Sequence, residues 1–278
     1  MNGKTYRELY DIAVELTGSK FDAGQLFTHI TAKRAQHLPF IGDKPAPPDA
    51  ERLLRKMCDQ RRSGVPLQYL LGEWEFYGLP LKVGRGVLIP RADTELLVDC
   101  ALELMKEIKR PEILDLCAGT GCVAIAIAAH RKDANVTALE VSDTAFDYLT
   151  KNIALNSSGV YAVKEDLGVY RHLYPLDIIT CNPPYIPAQT ISSLQPEIWY
   201  EPRLALDGGK DGLDFYHAVS RLYKPQLRDG GWLCFEVGIG QSAQVAQIME
   251  ANGFTNIFTR DDLGGIPRVV GGAARCRI

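Results

Sequence analysis

The sequence predicts an α/β protein: a mostly parallel sheet covered by helices on both faces, preceded by a small all-helical segment. Three observations carry this reading. From Asp93 onward, short apolar runs alternate with helical stretches, the pattern of strands whose crossover helices bury both sheet faces. Residues 1–70 contain no strand-like run. The last two apolar runs are joined by "DDLGGIP" with no helix between them, so one of them is expected to run antiparallel at the sheet edge.

The elements follow in order. In "TYRELYDIAVEL" the residues Tyr6, Leu9, Tyr10, Ala13, Val14 and Leu16 form a broad apolar helical face. Asp22 is placed to cap "AGQLFTHITAKRAQ". "KPAPP" interrupts the chain, and Asp49 is placed to cap a third helix, "AERLLRKMCDQRRSG", closing at Gly64. This helix gathers Arg52, Arg55, Lys56, Arg61 and Arg62, a set that reads first as a solvated face and second as a partner surface. "WEFYGLPLKVGRGVLIP" then reads as a β-hairpin around Gly78, Leu79 and Pro80, ending at Pro90.

Helix and strand alternate from there. "DTELLVDCALELMKEI" is helical, "EILDLC" a buried strand, "AGTG" a turn and "CVAIAIAAHRK" a helix. "NVTALEV" is a strand, "DTAFDYLTKNIALN" a helix, and "VYAVKED" and "LDIITC" are strands. "LDFYHAVSRLYKPQL" reads as a helix despite Pro225. "GWLCFEVG", "SAQVAQIMEANG", "FTNIFTR" and "RVVGGAA" complete the series, of which "GWLCFEVG", "FTNIFTR" and "RVVGGAA" bring the strands to seven. The expected organisation is a helical domain over 1–70, a hairpin linker over 71–90 and an α/β domain over 91–278.

Composition narrows the class. The chain has 278 residues, 46% hydrophobic and 23% charged, with a formal net charge of −3. That balance is ordinary for a globular protein and unlike a basic nucleic-acid binder. The seven cysteines (Cys58, Cys100, Cys117, Cys122, Cys181, Cys234 and Cys276) show no C-x-x-C spacing and do not cluster with the five histidines. Free thiols in a reducing compartment, with no metal site, are expected. The start is polar and charged, without a signal-peptide pattern, and no apolar run approaches a membrane span. The expectation is a cytoplasmic, monomeric enzyme.

The first candidate site is "DLCAGTGCVA" at the end of the first strand of the alternating region. In open α/β sheets, ligands bind beyond the carboxyl ends of strands where the strand order reverses. Gly119 and Gly121 let backbone approach a ligand without a Cβ collision, and the helix opening near Gly121 brings N–H groups to the same place. Glu140, at the end of the next strand, can accept from ribose hydroxyls. Gly119, Gly121 and Ala124 fit G-x-G-x-x-A, which suits a nicotinamide dinucleotide and S-adenosylmethionine equally. Asp115 either faces the loop or faces a cationic group of the ligand. Asp166 and Leu167, after the third strand, hold the position on this rim where an adenine would lie.

The second is "CNPPY" at the end of the fourth strand. In a sheet ordered 3-2-1-4-5 this strand lies beside the first, across the switch point, so Asn182 stands close to whatever the glycine loop holds. Pro183 and Pro184 have no N–H to occupy an acceptor, and their rings fix direction. Asn182 Oδ1 and the Pro183 carbonyl can therefore face one way as paired acceptors for a planar –NH2 group, with Tyr185 as a flat apolar wall. Accepting both N–H groups returns electron density to an amide nitrogen whose lone pair is otherwise delocalised, which assists attack on a methyl group. A methyl donor needs only such positioning, whereas hydride chemistry commonly needs an acid or base that neither His130 nor His172 is placed to supply.

These residues carry a family likeness. The chain resembles the HemK/PrmC family of protein-(glutamine-N5) methyltransferases that modify peptide chain release factors, through its helical N-terminal region and through "LIPRADTELLV" (88–98), "DLCAGTG" (115–121), "NPPYIP" (182–187), "EPRLALDGGKDGL" (201–213) and "DLGGIPRVV" (262–270). N-P-P-Y alone is shared with adenine-N6 and other amine methylases; the ordered set is more specific. The resemblance implies the S-adenosylmethionine-dependent methyltransferase fold, Rossmann-like, with S-adenosylmethionine as cofactor and no metal. It implies that Cys117, Ala118, Gly119, Thr120, Gly121, Glu140, Asp166, Leu167 and Asn182 hold that cofactor. It also implies that Asn182, Pro183, Pro184 and Tyr185 hold and activate a substrate glutamine, that of the G-G-Q motif in class I release factors. The family commonly has glycine where Cys117 stands, threonine at Ala118, proline at Ala92, aspartate at Glu140 and an aromatic residue at Leu167.

Two other readings compete with glutamine methylation. One is adenine or other amine methylation on nucleic acid, which usually needs a target-recognition element and base extraction; the small helical domain and the negative charge weigh against it, and the basic third helix for it. The other is a non-catalytic nucleotide-binding module, against which an intact N-P-P-Y beside an intact glycine loop speaks.

Overall fold

The computed structural model describes residues 4–275; Cys276 lies outside them. The chain forms two compact units. One comprises the chain through Glu73 together with Gln195–Tyr200, the other Trp74–Leu194 and Glu201 onward.

The first unit is helical: α1 (Tyr6–Thr17), α2 (Lys20–Thr31), α3 (Leu38–Ile41), α4 (Ala50–Arg62) and α5 (Leu67–Leu71). A capping box starts α1, with the Thr5 side chain accepting from Glu8 N–H and the Glu8 carboxylate accepting from Thr5 N–H. Ser19, not Asp22, caps α2, accepting from Asp22 N–H at 3.1 Å. Asp22 is instead free to accept from Arg61 Nε at 2.6 Å, while Arg61 Nη1 donates to Glu197 at 2.6 Å. Asp49 stands at the N-cap of α4 without a side-chain capping bond. Leu9, Ala13, Leu26, Phe27, Leu54 and Cys58 are buried here, and Phe27 meets the rings of Tyr6 and Tyr10 edge-on.

The hairpin is formed by β1 (Glu73–Phe76) and β2 (Leu79–Lys82). Tyr77 and Gly78 between them both have positive φ, 52° and 74°, as a two-residue turn matched to strand twist requires. Tyr77 pays the left-handed cost without a glycine, held by Glu95, which accepts its N–H at 2.8 Å.

The α/β unit follows as α6 (Glu95–Leu104), β3 (Glu112–Leu116), α7 (Cys122–His130), β4 (Asn135–Glu140), α8 (Asp143–Leu155), β5 (Tyr161–Lys164), β6 (Leu176–Cys181), α9 (Asp214–Tyr223), β7 (Leu227–Glu236), α10 (Ser242–Ala251), β8 (Phe254–Asp261) and β9 (Pro267–Ala274). Helix α9 does not run through Pro225, contrary to the expectation from the sequence: it stops at Tyr223, and the chain passes into a 3-10 turn over Lys224–Gln226, because a proline has no N–H to continue the helix. The seven strands lie in the order β5-β4-β3-β6-β7-β9-β8. The pairs from β5 to β7 are parallel, in the expected 3-2-1-4-5 order. The antiparallel edge is there too: β9 pairs antiparallel with both β7 and β8, and β8 is outermost.

Neighbouring residues on each strand enter opposite cores, the period-2 rule at work. Ile113 and Ile178 pack with Ala124, Ile127 and Leu149 from α7 and α8. Leu114 and Ile179 pack with Tyr216, Val219, Val245 and Met249 from α9 and α10. Helix α7 is buried from Val123 to Ala128, so its unbroken apolar sequence reflects a helix enclosed on all sides. The order reverses at β3, whose neighbours β4 and β6 lead away in opposite directions.

Candidate active site

A cavity of about 460 Å³ opens at the carboxyl ends of β3, β4, β5 and β6, where an open α/β sheet binds its ligands. The sequence-expected residues Cys117, Ala118, Gly119, Thr120, Glu140, Asp166, Leu167, Asn182 and Pro184 line it. Gly121, Pro183 and Tyr185 are not among the lining residues.

Gly121 acts behind the loop. Its φ is 80°, and a Cβ there would lie 2.4 Å from Leu149 Cδ1. It is required for the strand-to-helix turn and the packing beneath it rather than for ligand approach. Gly119 does the opposite: a Cβ would meet only Val87, at 4.0 Å, so the space before it is open to a ligand. Cys117, at φ 57°, sits in the left-handed region that favours glycine.

The loop is braced from within. Ala118 N–H donates to the Leu139 carbonyl at 3.0 Å and Gly121 N–H to the Ala118 carbonyl at 2.7 Å. Glu140 accepts from Gly119 N–H and, with its other oxygen, from Ser142 N–H, both at 2.8 Å. The loop's amides are thus largely engaged, and it offers a ligand close backbone and open space more than free donors. The acid that organises the loop is Glu140. Each Glu140 oxygen keeps a lone pair for a further donor such as a ribose hydroxyl.

Asn152 fastens the loop from α8. Fully buried, it accepts from Lys82 N–H at 2.6 Å and donates to the carbonyls of Lys82 (3.1 Å) and Thr120 (3.0 Å). A buried amide satisfied this fully fixes β2, α8 and the glycine loop in one arrangement.

Asp115 also lines the cavity. Its Oδ1 accepts from Thr180 Oγ1 at 2.8 Å, and its Oδ2 is buried without a partner among the described residues. Burial raises its pKa to about 7, against the pull of Thr180 and the Ala124 N–H.

Around the elbow after β6, Asn182 Nδ2 donates to Thr94 Oγ1 at 3.3 Å. Tyr185 is not the cavity wall expected of it. Its hydroxyl turns toward Glu236 at the end of β7, 3.5 Å from Oε1, and Gln241 Nε2 donates to its carbonyl at 3.0 Å. Gly208 explains one glycine of "DGG": a Cβ there would lie 2.8 Å from both the Pro184 oxygen and Tyr185 Cα. The elbow is thus a clamped piece of backbone rather than an aromatic shelf.

Other cavity residues were present in the quoted motifs without an assigned role. "LIPRADTE" supplies Leu88, Pro90, Arg91 and Thr94, and "EPRLALDGG" supplies Pro202, Leu204 and Ala205. Arg91 Nη2 donates to both oxygens of Glu201, at 2.7 and 2.8 Å, where Glu201 is almost wholly buried. Burial raises the Glu201 pKa, and the Arg91 guanidinium opposes that rise. The two motifs are therefore joined beside the cavity by a charge-assisted pair. Apolar walls come from Val141, Phe215, Ala218 and Leu222, which no motif signalled because their meeting depends on tertiary packing.

Comparison with known proteins agrees with this architecture. Residues 92–201 match the family model "Methyltransferase small domain" and residues 15–72 the model "PrmC N-terminal domain". A release factor glutamine methyltransferase of Fusobacterium nucleatum is 37% identical over 90% of this chain and 72% of the relative. One of Geobacter sulfurreducens is 41% identical over 83% of this chain and 81% of the relative. Among solved structures, a methyltransferase from Pyrococcus furiosus superposes with a TM-score of 0.53 at 17% identity, covering 82% of this chain and all of that one. The hMettl16 catalytic domain solved with a 3′UTR hairpin gives a TM-score of 0.58 at 18% identity, covering 73% of this chain and 78% of that one. These structural likenesses establish a fold shared with methyltransferases. The sequence matches extend over both units, and the chain belongs to the release factor glutamine methyltransferase family.

Proposed function

We propose that this protein transfers a methyl group from S-adenosylmethionine to the side-chain amide nitrogen of a glutamine in class I peptide chain release factors, the glutamine of their G-G-Q motif. Membership of the family supports the reaction class. The single observation that carries the chemistry is the placement of Asn182 and the glycine loop on one cavity at the sheet's switch point.

The cavity fits the methyl donor. The open space before Gly119, the remaining acceptor capacity of Glu140, and the apolar surfaces of Leu167, Val141 and Leu222 suit an adenosine with its ribose. Cys117, Ala118, Gly119, Thr120, Glu140, Asp166, Leu167 and Asn182 would hold it, with Gly121 shaping the turn. When bound it supplies an electrophilic methyl on a sulfonium.

The chain's own residues then act on the glutamine. The two amide N–H groups are assigned to Asn182 Oδ1, which lines the cavity, and to the carbonyl of Pro183, which stands next to it in the chain just outside the lining residues, with Pro184 shaping the wall beside them. Tyr185 holds the elbow in register from behind through Glu236 and Gln241. Acceptance by two oxygens strengthens as the nitrogen becomes pyramidal, so it favours the transition state over the ground state. Recognition of the protein substrate is assigned to the helical unit, over residues 1–70. Removing them is expected to weaken release factor binding and spare methyl-donor binding, as measured by calorimetry; equal release factor affinity would contradict that assignment.

The test is transfer of labelled methyl from S-adenosylmethionine to a class I release factor, to its Gln→Ala variant, and to DNA. Label on the first alone is expected. Label on DNA, or on the Gln→Ala variant equally, would refute the proposal.

A further inference from the structure

We propose that two turns at the carboxyl end of β7, carrying Ile239 and Leu263, form a docking edge for the polypeptide that carries the target glutamine. This rests on the reading that the cavity receives a glutamine of a protein, and it adds a surface on the α/β unit to the one assigned to the helical unit. A glutamine side chain inside the cavity stays tethered to a backbone outside it. The residues flanking it in its own protein must therefore pass over the rim.

The motif "DLGGIPRVV" locates that rim. Strand β9 runs antiparallel to β7, with Val269 opposite Glu236, so the turn joining β8 to β9 projects beyond the carboxyl end of β7. Because β6 and β7 are parallel, this is the sheet edge at which the elbow and the cavity stand. Asp262 holds the turn closed. Its carboxylate accepts from Gly264 N–H at 2.8 Å, Ile266 N–H at 3.0 Å and Arg268 Nε at 3.1 Å, and its own N–H donates to the Ile266 carbonyl at 2.8 Å. Arg268 Nη2 then reaches Asp93 at 2.9 Å, next in the chain to Thr94 on the cavity wall. The second turn follows β7. Val237 N–H donates to the Arg268 carbonyl at 2.8 Å, which ties the two turns together. Gln241 closes the second turn by accepting from Gly238 N–H at 3.0 Å, and it donates to the Tyr185 carbonyl of the elbow at 3.0 Å.

Each turn holds one large apolar side chain out to solvent. Leu263 is fully exposed and Ile239 is 71% exposed. An exposed leucine or isoleucine is ordinary by itself. What sets this pair apart is the mounting: both stand on backbone hydrogen-bonded to segments that shape the site, so little conformational freedom is left to lose when a partner covers them. The local charge selects the kind of partner. Arg268 is held by two carboxylates, Asp93 and Asp262, and Arg91, in the same segment as Asp93, is held by Glu201. A nucleic acid needs cations that neutralise its phosphates. Both guanidiniums are already matched by carboxylates, and the edge suits an apolar polypeptide surface instead.

The experiment compares wild type with Ile239→Ser, Leu263→Ser, the double variant and Leu263→Met. It reads kcat and KM for methyl transfer to a release factor, and calorimetric Kd for the release factor and for S-adenosylhomocysteine. Each serine variant is expected to raise KM and Kd for the release factor roughly tenfold, and the double variant more, with kcat and S-adenosylhomocysteine affinity within about twofold of the wild type. L263M is expected to keep wild-type affinity, since an apolar contact tolerates that exchange. A double variant with wild-type KM and Kd overturns the proposal, as does one whose loss lies in kcat alone, which would mark the turns as supports of the elbow. Duplex DNA bound by the wild type and lost in the double variant also overturns it. A wild type that binds the release factor through these turns and methylates no glutamine overturns the proposed function and leaves the docking edge standing.

Discussion

Gly208 offers a quantitative probe of the elbow because its substitution is purely steric. Gly208 is not among the glycines with positive φ, so alanine brings no backbone strain. Its Cβ would lie 2.8 Å from the Pro184 oxygen, 2.8 Å from Tyr185 Cα and 2.9 Å from Gly212 Cα, all backbone atoms. Ordinary contact begins near 3.4 Å, so one partner must shift by about 0.6 Å. Both sides are anchored: Ile186 N–H donates to the Leu206 carbonyl and Gly208 N–H to the Ile186 carbonyl, each at 2.9 Å. Overpacking of this kind costs about 1–3 kcal/mol in stability. Misplacement approaching 1 Å at a reacting centre costs about 100-fold in rate. Gly208→Ala is therefore expected to lower kcat roughly 10- to 100-fold while S-adenosylhomocysteine affinity stays within threefold, because the glycine loop and Glu140 lie elsewhere on the cavity. The assay is steady-state transfer to a release factor beside calorimetric binding and urea denaturation. Wild-type kcat in a folded variant would refute the view that elbow placement limits the rate.

Three further outcomes follow from the same geometry. Asn182→Ala is expected to reduce turnover by roughly 100-fold or more with a much smaller change in methyl-donor affinity; equal losses in both would show that the side chain serves binding alone. Asn152→Ala removes three buried hydrogen bonds that join β2, α8 and the Thr120 carbonyl. A stability loss on the order of 3 kcal/mol is expected in urea denaturation, with weakened methyl-donor binding, and a neutral outcome would contradict the bracing role. Asp115 and Glu236 have pKa values raised from 3.8 and 4.5 to about 7. Between those values the folded state keeps protons that the unfolded state releases, so their contribution falls as pH rises through the window, by on the order of 3 kcal/mol each. His172, whose pKa burial lowers, opposes this over part of the range. The diagnostic is thus a comparison of urea midpoints at pH 5.5 and 8: Asp115→Asn should be relatively more stable than wild type at pH 8 than at pH 5.5. An unchanged difference would contradict the raised pKa.

Much of the fold was legible because its signals are local and repeated. The apolar runs of β3, β4, β6 and β7 are buried throughout their central residues, and the helices between them dictate parallel pairing. Cap assignments were less legible. Ser19 and Asp22 are both good N-cap residues, and only the ion pair of Asp22 with Arg61 shows why the chain uses Ser19. At the site, residues that act through backbone shape were readable: glycines and prolines announce their constraint. Tyr185 was misread because an aromatic beside a site looks like a wall, whereas a buried phenol seeks a polar partner and Glu236 lies fifty-one positions along the chain. Glu236 and Asn152 carried no signal at all. A single acidic or amide residue in an apolar run acquires meaning only from the neighbours that folding gives it.

The most direct measurement is a crystal structure of the protein with S-adenosylhomocysteine and a glutamine-containing release factor peptide. The account predicts the glutamine amide nitrogen about 3 Å from both Asn182 Oδ1 and the Pro183 carbonyl, facing the sulfur across the space the methyl would occupy. An amide held by other atoms, or an Asn182 presenting Nδ2 to it, would contradict the account.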